Sequence, residues 1–92
     1  MDDNKLQEAR VKINRIDKEM AALFEERMKA VEDVASYKAE HNLPIFDSQR
    51  EQEVISKNSE YIKNSELKEY YIDFLNHTMK VSKDYQKKML NL

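Results

Sequence analysis

Three cations in the N-terminal part of the chain have types and spacings suited to binding an anion. Arg27 falls at a position where every seventh residue is otherwise apolar, so it interrupts a hydrophobic seam. Lys38 follows eleven residues later, about three helical turns, which places both cations on one face roughly 16 Å apart. Arg10 precedes Arg27 by 17 residues, or about 25 Å, and is rotated from it by roughly 100°.

These distances bear on the kind of ligand that the cations could bind. One small ligand cannot contact both Arg10 and Arg27 of the same helix. An antiparallel second helix would bring the other chain's Arg10 beside Arg27. Three cations on one ligand then predict a site shared between subunits and a ligand with two negative charges.

A second polar interruption lies in the C-terminal part of the chain. Leu75, Met79, Ser82, Gln86 and Met89 recur at spacings of three and four residues, which predicts one face of a helix. Ser82 and Gln86 lie in the middle of this face, one turn apart. They would present neutral hydrogen-bonding groups inward.

Polar residues also cluster just after Pro44, at the predicted start of another helix. Ser48 and Glu51 fit a capping box, with Asp47 as the competing cap. Arg50 lies beside them in the first turn.

Each of these groups also has a structural explanation when taken singly. A seam arginine often snorkels to solvent or sets the register of paired helices. A lysine near a helix C-terminus interacts favourably with the helix dipole. The serine and glutamine can make ordinary interhelical hydrogen bonds. The cluster after Pro44 can serve simply as the N-cap of a helix.

The apolar periodicity predicts an all-α fold of one long and two shorter helices. Their approximate bounds are Asn4 to Glu40, Asp47 or Ser48 to a break between Lys57 and Ser65, and Glu66 to Met89. Asn4 and Gln7 would cap the first helix. The segment 41–44, His-Asn-Leu-Pro, would end it, because Asn suits a left-handed position and Pro cannot continue a helix.

The predicted lengths indicate that the first helix has a partner. It would span roughly 54 Å, whereas the other two would reach roughly 24 and 36 Å. The shorter helices cannot cover all of its apolar flanks. We therefore expect an intertwined homodimer in which the first helices of two chains are antiparallel.

Composition excludes several classes of function. The 92 residues fit one domain, residues 1–92, and contain no Gly and no Cys, which excludes glycine phosphate loops and thiolate sites. A net charge of −2 favours neither nucleic acid nor an anionic membrane. Without a signal peptide pattern or an apolar run near 18 residues, a soluble cytoplasmic protein is expected. His41 and His77 do not suggest a metal pair, so no metal is expected.

Several motifs follow one another in an order that is specific as a set. They are the segment 6–17 (LQEARVKINRID), Glu26-Arg27, Tyr37-Lys38, the segment 44–51 (PIFDSQRE) and the late Ser82-x-x-x-Gln86. In this order they resemble the all-helical, type II class of chorismate mutases. The resemblance extends from Leu6 to about Lys88.

The resemblance implies roles for the cations and the late glutamine. Arg27 and, from the opposite subunit, Arg10 would bind the two carboxylates of the substrate. Lys38 would contact a carboxylate and the ether oxygen, and Gln86 would also donate to that oxygen. Arg27, Lys38 and Gln86 would be the catalytic residues.

The remaining substrate contacts implied by the resemblance are Asp47, Arg50, Glu51 and Ser82. Glu51 would hold the ring hydroxyl with help from the Asp47 region. The family fold would be an intertwined dimer with two shared sites. Tyr37 and Phe46 are larger than in some relatives, which affects the shape of the pocket.

The implied reaction is the one-step rearrangement of chorismate to prephenate in phenylalanine and tyrosine biosynthesis. It needs no nucleophile, metal or cofactor. Two alternatives stay open. One is a lyase of the same fold that removes pyruvate from isochorismate, and the other is a non-catalytic helical dimer that serves as an interaction or regulatory module.

Overall fold

The computed structural model describes residues 3–92, and every regular element among them is helical. The helices are α1, Asp3–Glu40, then α2, Ser48–Ser59, and α3, Lys68–Met89, with one 3₁₀ turn, Ser65–Leu67, just before α3. The predicted all-α fold of one long and two shorter helices is confirmed. None of these described helices is long and apolar enough to cross a membrane.

The start of α1 differs from the prediction. Asn4 lies inside the helix, which already includes Asp3, so the predicted cap of Asn4 with Gln7 is wrong. An N-cap residue needs a non-helical backbone, and the backbone at Asn4 is helical. With 38 residues, α1 is about 57 Å long.

The end of α1 is as predicted. Asn42 is in the left-handed region with φ 53°. The Leu43 N–H donates to the carbonyl of Lys38 at 2.8 Å, and the Asn42 N–H donates to that of Ala39 at 3.4 Å. These two bonds form a Schellman motif, which satisfies the last carbonyls of the helix and turns the chain toward α2.

At the start of α2, the competing cap forms instead of the capping box. Asp47 is extended, with φ −133°, and its Oδ1 accepts a hydrogen bond from the Arg50 N–H at 3.0 Å. A carboxylate at this position also interacts favourably with the positive end of the helix dipole. The predicted box of Ser48 with Glu51 is therefore wrong, and the Glu51 side chain makes a tertiary contact.

The chain forms two compact units, and the boundary falls within α1. The first ends at Ala30, and the second comprises Val31–Leu92. In the second unit, Val31 and Ala35 from α1 and Leu75 and Met79 from α3 are buried. α2 has no buried residue.

α3 buries the face that its spacing predicts. The first four members of the stripe are the buried residues of this helix: Leu75, Met79, Ser82 and Gln86. Met89, at the end of the stripe, is 37% exposed. Phe74 and Val81, which extend the apolar character to one side, are also exposed.

The first unit displays apolar side chains to solvent. None of residues 4–30 is buried. Seven large apolar side chains of this stretch are at least 36% exposed: Leu6, Val11, Ile13, Ile16, Met20, Leu23 and Phe24. All of them except Val11 lie on one side of the helix, and an exposed apolar face of this kind indicates a site of interaction.

Candidate functional site

α3 places two polar side chains in the interior of the second unit. Ser82 and Gln86 are 6% and 5% exposed, so both face inward as their spacing predicts. The Ser82 hydroxyl donates to the carbonyl of Thr78 at 3.0 Å, one turn earlier in the same helix. This bond fixes the hydroxyl against the helix backbone.

The amide of Gln86 is buried with unused hydrogen-bonding capacity. Its Oε1 has no hydrogen-bond partner among the described residues. An unsatisfied buried acceptor is unfavourable by about 1–3 kcal/mol, which a bound molecule that hydrogen-bonds there would offset. A half-turn of the amide exchanges its acceptor for its NH₂ donors. The side chain can therefore meet either a donor or an acceptor of a ligand.

Lys38 lies half-buried near the end of α1. Its Nζ donates to the carbonyl of Ile45 at 2.7 Å. The bond connects α1 to segment 41–47, the stretch between α1 and α2. An ammonium has three N–H groups, so this bond leaves Lys38 able to donate to an anion.

An ion pair connects the start of α2 to α3. Lys83 Nζ lies 2.9 Å from Glu51 Oε2, and the two side chains are only 27% and 24% exposed. The same Nζ lies 4.8 Å from the centre of the Phe46 ring, within the range of a cation–π contact. Lys83 was not predicted from the sequence, because no local pattern distinguishes it from the other lysines of α3.

Asp47 and Arg50 are exposed at the start of α2. One oxygen of Asp47 is engaged in the N-cap. Arg50 Nη1 lies 3.8 Å from Glu53 Oε2, with both side chains more than half exposed. Such surface pairs contribute little, so Arg50 can turn toward a ligand at small cost.

Arg10 and Arg27 belong to the first unit, and both are exposed. Arg27 makes an interaction within the chain. The other six predicted site residues belong to the second unit: Lys38, Asp47, Arg50, Glu51, Ser82 and Gln86. The predicted site needs Arg10 from a second chain, so the assembly of all eight residues stays a prediction.

Electrostatic contacts shift two pKa values on α3. The negative charge of Glu32 on α1 is the largest cause of a raised pKa of Tyr85, followed by desolvation and by the hydrogen bond between the two side chains. This contact joins α1 to α3 at the residue before Gln86. The hydrogen bond from Lys80, at 2.8 Å, lowers the pKa of Asp84.

The two histidines make contacts typical of surface residues. The His41 ring stacks on Tyr37 with centroids 3.9 Å apart. His77 Nε2 lies 3.6 Å from Asp73 Oδ1, and both side chains are more than 70% exposed. Within residues 3–92, no three His, Asp or Glu side chains converge in the manner of metal ligands.

A family model described as chorismate mutase type II matches residues 9–87 of the 92-residue chain. All eight predicted site residues fall within the matched range, and so does Lys83. No solved structure matches the chain.

Proposed function

The chain belongs to the chorismate mutase type II family, and on this premise we propose that it rearranges chorismate to prephenate. It would be an isomerase that needs no cofactor and serves phenylalanine and tyrosine biosynthesis. We further propose that residues 1–92 act as a single domain in the cytoplasm. The family match supports the type of reaction, and the choice of substrate rests on the site.

The observation that best supports this reaction is the buried amide of Gln86, which after a half-turn would present its NH₂ group where its unpaired oxygen now lies. As the carbon–oxygen bond of chorismate breaks, negative charge grows on the ether oxygen. Donors that are already oriented in a site shielded from water stabilise such charge, each by about 2.7–4 kcal/mol. A buried neutral amide suits this role, because its NH₂ group does not titrate.

Lys38 would supply the second donor to the ether oxygen. Its bond to the Ile45 carbonyl holds the ammonium in one position before the substrate binds. A fixed donor loses little freedom during the reaction, so its charge is fully available to the transition state. Glu51 would bind the ring hydroxyl and favour the partial positive charge on the ring.

The arginines would set the conformation of the substrate. Arg27 and Arg10 of the partner subunit would each hold one carboxylate, which keeps the flexible enolpyruvyl arm over the ring. Holding the two reacting ends together removes much of the entropic barrier of the reaction. Asp47, Arg50 and Ser82 would complete the contacts with the substrate.

We propose that a second copy of the chain covers the apolar face of the first unit. That face comprises exposed aliphatic and aromatic side chains along α1. The two α1 helices would pack antiparallel, which brings each Arg10 to the Arg27 of the other chain. This dimer would contain two sites, each built from both subunits.

The parent protein should sediment as a dimer at micromolar concentration. Ile13 is 53% exposed, and Ile13→Asp should yield monomers, because a carboxylate would have to be buried without a partner in the interface. Asn14→Asp adds the same charge at the adjacent residue, outside the apolar seam, and should leave the dimer intact. A parent protein that is a stable and active monomer in dilute sedimentation runs would contradict the proposed assembly.

Ultraviolet monitoring of chorismate with the purified protein tests the reaction directly. We expect loss of chorismate with formation of prephenate and no release of pyruvate. Consumption of isochorismate with release of pyruvate would instead identify the lyase of the same fold. Absence of turnover of either isomer would identify a non-catalytic module and overturn the proposal.

A further inference from the structure

Lys83 lies where three parts of the second unit come together. It extends from α3, pairs with Glu51 in the first turn of α2 at 2.9 Å, and approaches the Phe46 ring of segment 41–47. It also follows Ser82, which is buried in the same helix. A single side chain thus connects α2 and segment 41–47 to the helix that carries Gln86.

This pair differs in kind from the ion pairs on the helix surfaces. Arg15–Glu19, Arg50–Glu53 and Lys80–Asp84 each join residues three or four positions apart, and all of these side chains are more than half exposed. Lys83 and Glu51 are about three-quarters buried and belong to different helices. A partly buried pair is less screened by salt and solvent than an exposed one, so the attraction between its two side chains is stronger.

We propose that Lys83 is a positioning residue that orients the Glu51 carboxylate toward the ring hydroxyl of the substrate. The inference rests on the proposed function, in which Glu51 binds that hydroxyl. An ionised carboxylate has two acceptor oxygens. Lys83 engages Oε2, and Oε1 is then presented in one direction for the hydroxyl.

The contact with Phe46 restrains the lysine itself. With the ammonium over the aromatic face, the long side chain has fewer rotamers to lose when it pairs with Glu51. Segment 41–47 also carries Ile45, whose carbonyl accepts the hydrogen bond from Lys38. The Lys83 contacts and the Lys38 contact therefore restrain the same short segment from two sides.

Steady-state kinetics of Lys83→Met and Lys83→Arg test the proposal. The hydroxyl is bound in both the ground state and the transition state, so loss of orientation should raise KM with kcat almost unchanged. We expect Lys83→Met to raise KM about fivefold, as for loss of one partly exposed ion pair. Lys83→Arg keeps the cation and should restore most of the affinity. Lys80→Met removes an exposed lysine of the same helix and should behave as the parent.

A substrate analogue that lacks the ring hydroxyl separates positioning from a general structural effect. Its binding as a competitive inhibitor should be equally strong with the parent and Lys83→Met, because Glu51 then has no hydroxyl to hold. Equal weakening for both ligands would show that Lys83 supports the fold or contacts a carboxylate, and would overturn the proposal. An unchanged KM in Lys83→Met would overturn it as well.

The contact between Lys83 and Glu51 can also be tested without substrate, independently of the proposed reaction. Urea unfolding of Lys83→Met, Glu51→Gln and the double variant forms a double-mutant cycle. Non-additive losses are expected for a pair in contact, and additive losses would contradict the contact on which the inference depends. If the parent turns over no chorismate, the proposed function fails. If the parent is active but the stability losses of the variants are additive, the proposed function stands and only the proposed role of Lys83 is overturned.

Discussion

Arg10→Ala and Arg27→Ala proteins, each nearly inactive alone, should regain activity when they are mixed. Each substitution would remove a proposed charged contact to a substrate carboxylate, for which about 3 kcal/mol is a typical upper value. That corresponds to a loss of roughly a hundredfold in kcat/KM. In the proposed dimer, one site of a mixed dimer keeps Arg27 of one chain and Arg10 of the other.

The expected amount of recovery follows from the symmetry of the dimer. After free exchange of subunits, about half of the dimers are mixed and each has one intact site, so activity should reach about a quarter of the parent's. Arg15→Ala is a matched control, because Arg15 is an exposed arginine of the same helix that pairs with Glu19, and it should remain active. If the mixture stays inactive after subunit exchange has been demonstrated, the two arginines do not come from different chains.

Gln86→Glu should make activity depend on pH between 5 and 7.5. The parent amide would donate a hydrogen bond at any pH in this range, whereas a carboxyl donates one only while it is protonated. An unperturbed glutamic acid has a pKa of about 4.3. Position 86 is 5% exposed, and burial raises the pKa of a carboxyl, while the proposed proximity of Lys38 would lower it. The variant should therefore lose most of its activity at pH 7.5, roughly a hundredfold, and recover part of it near pH 5.

Two further variants test whether the pH dependence arises from a carboxyl donor at position 86. Gln86→Ala has no donor and should be inactive at both pH values, without recovery in acid. Gln52→Glu makes the same change at an exposed position of α2 and should follow the parent throughout. The measurement is kcat/KM against pH for all four proteins. A Gln86→Glu profile as flat as that of the parent would show that Gln86 does not donate to the reacting oxygen.

The helices could be predicted from the sequence because their formation depends on residues within one or two turns of each other. Spacings of three and four residues predicted all three helices and the inward face of α3 that buries Ser82 and Gln86. The left-handed Asn42 at the end of α1 also follows from a local preference. The cap at Asn4 and the capping box of Ser48 with Glu51 were predicted incorrectly, whereas Asp47, predicted as the competing cap of α2, is the cap that forms. Neighbouring residues at a helix start compete to cap it, and several are suitable.

The contacts between helices could not be predicted in this way. The pairing of Lys83 with Glu51 joins residues far apart in the chain, and it exists only because α2 packs against α3 and excludes solvent there. The same applies to the unsatisfied amide oxygen of Gln86, which depends on the groups that packing brings near it. Periodicity indicates which face of a helix is turned inward. Packing between distant segments decides which side chains meet there and which stay without a partner. That packing also determines the distances between side chains and their burial.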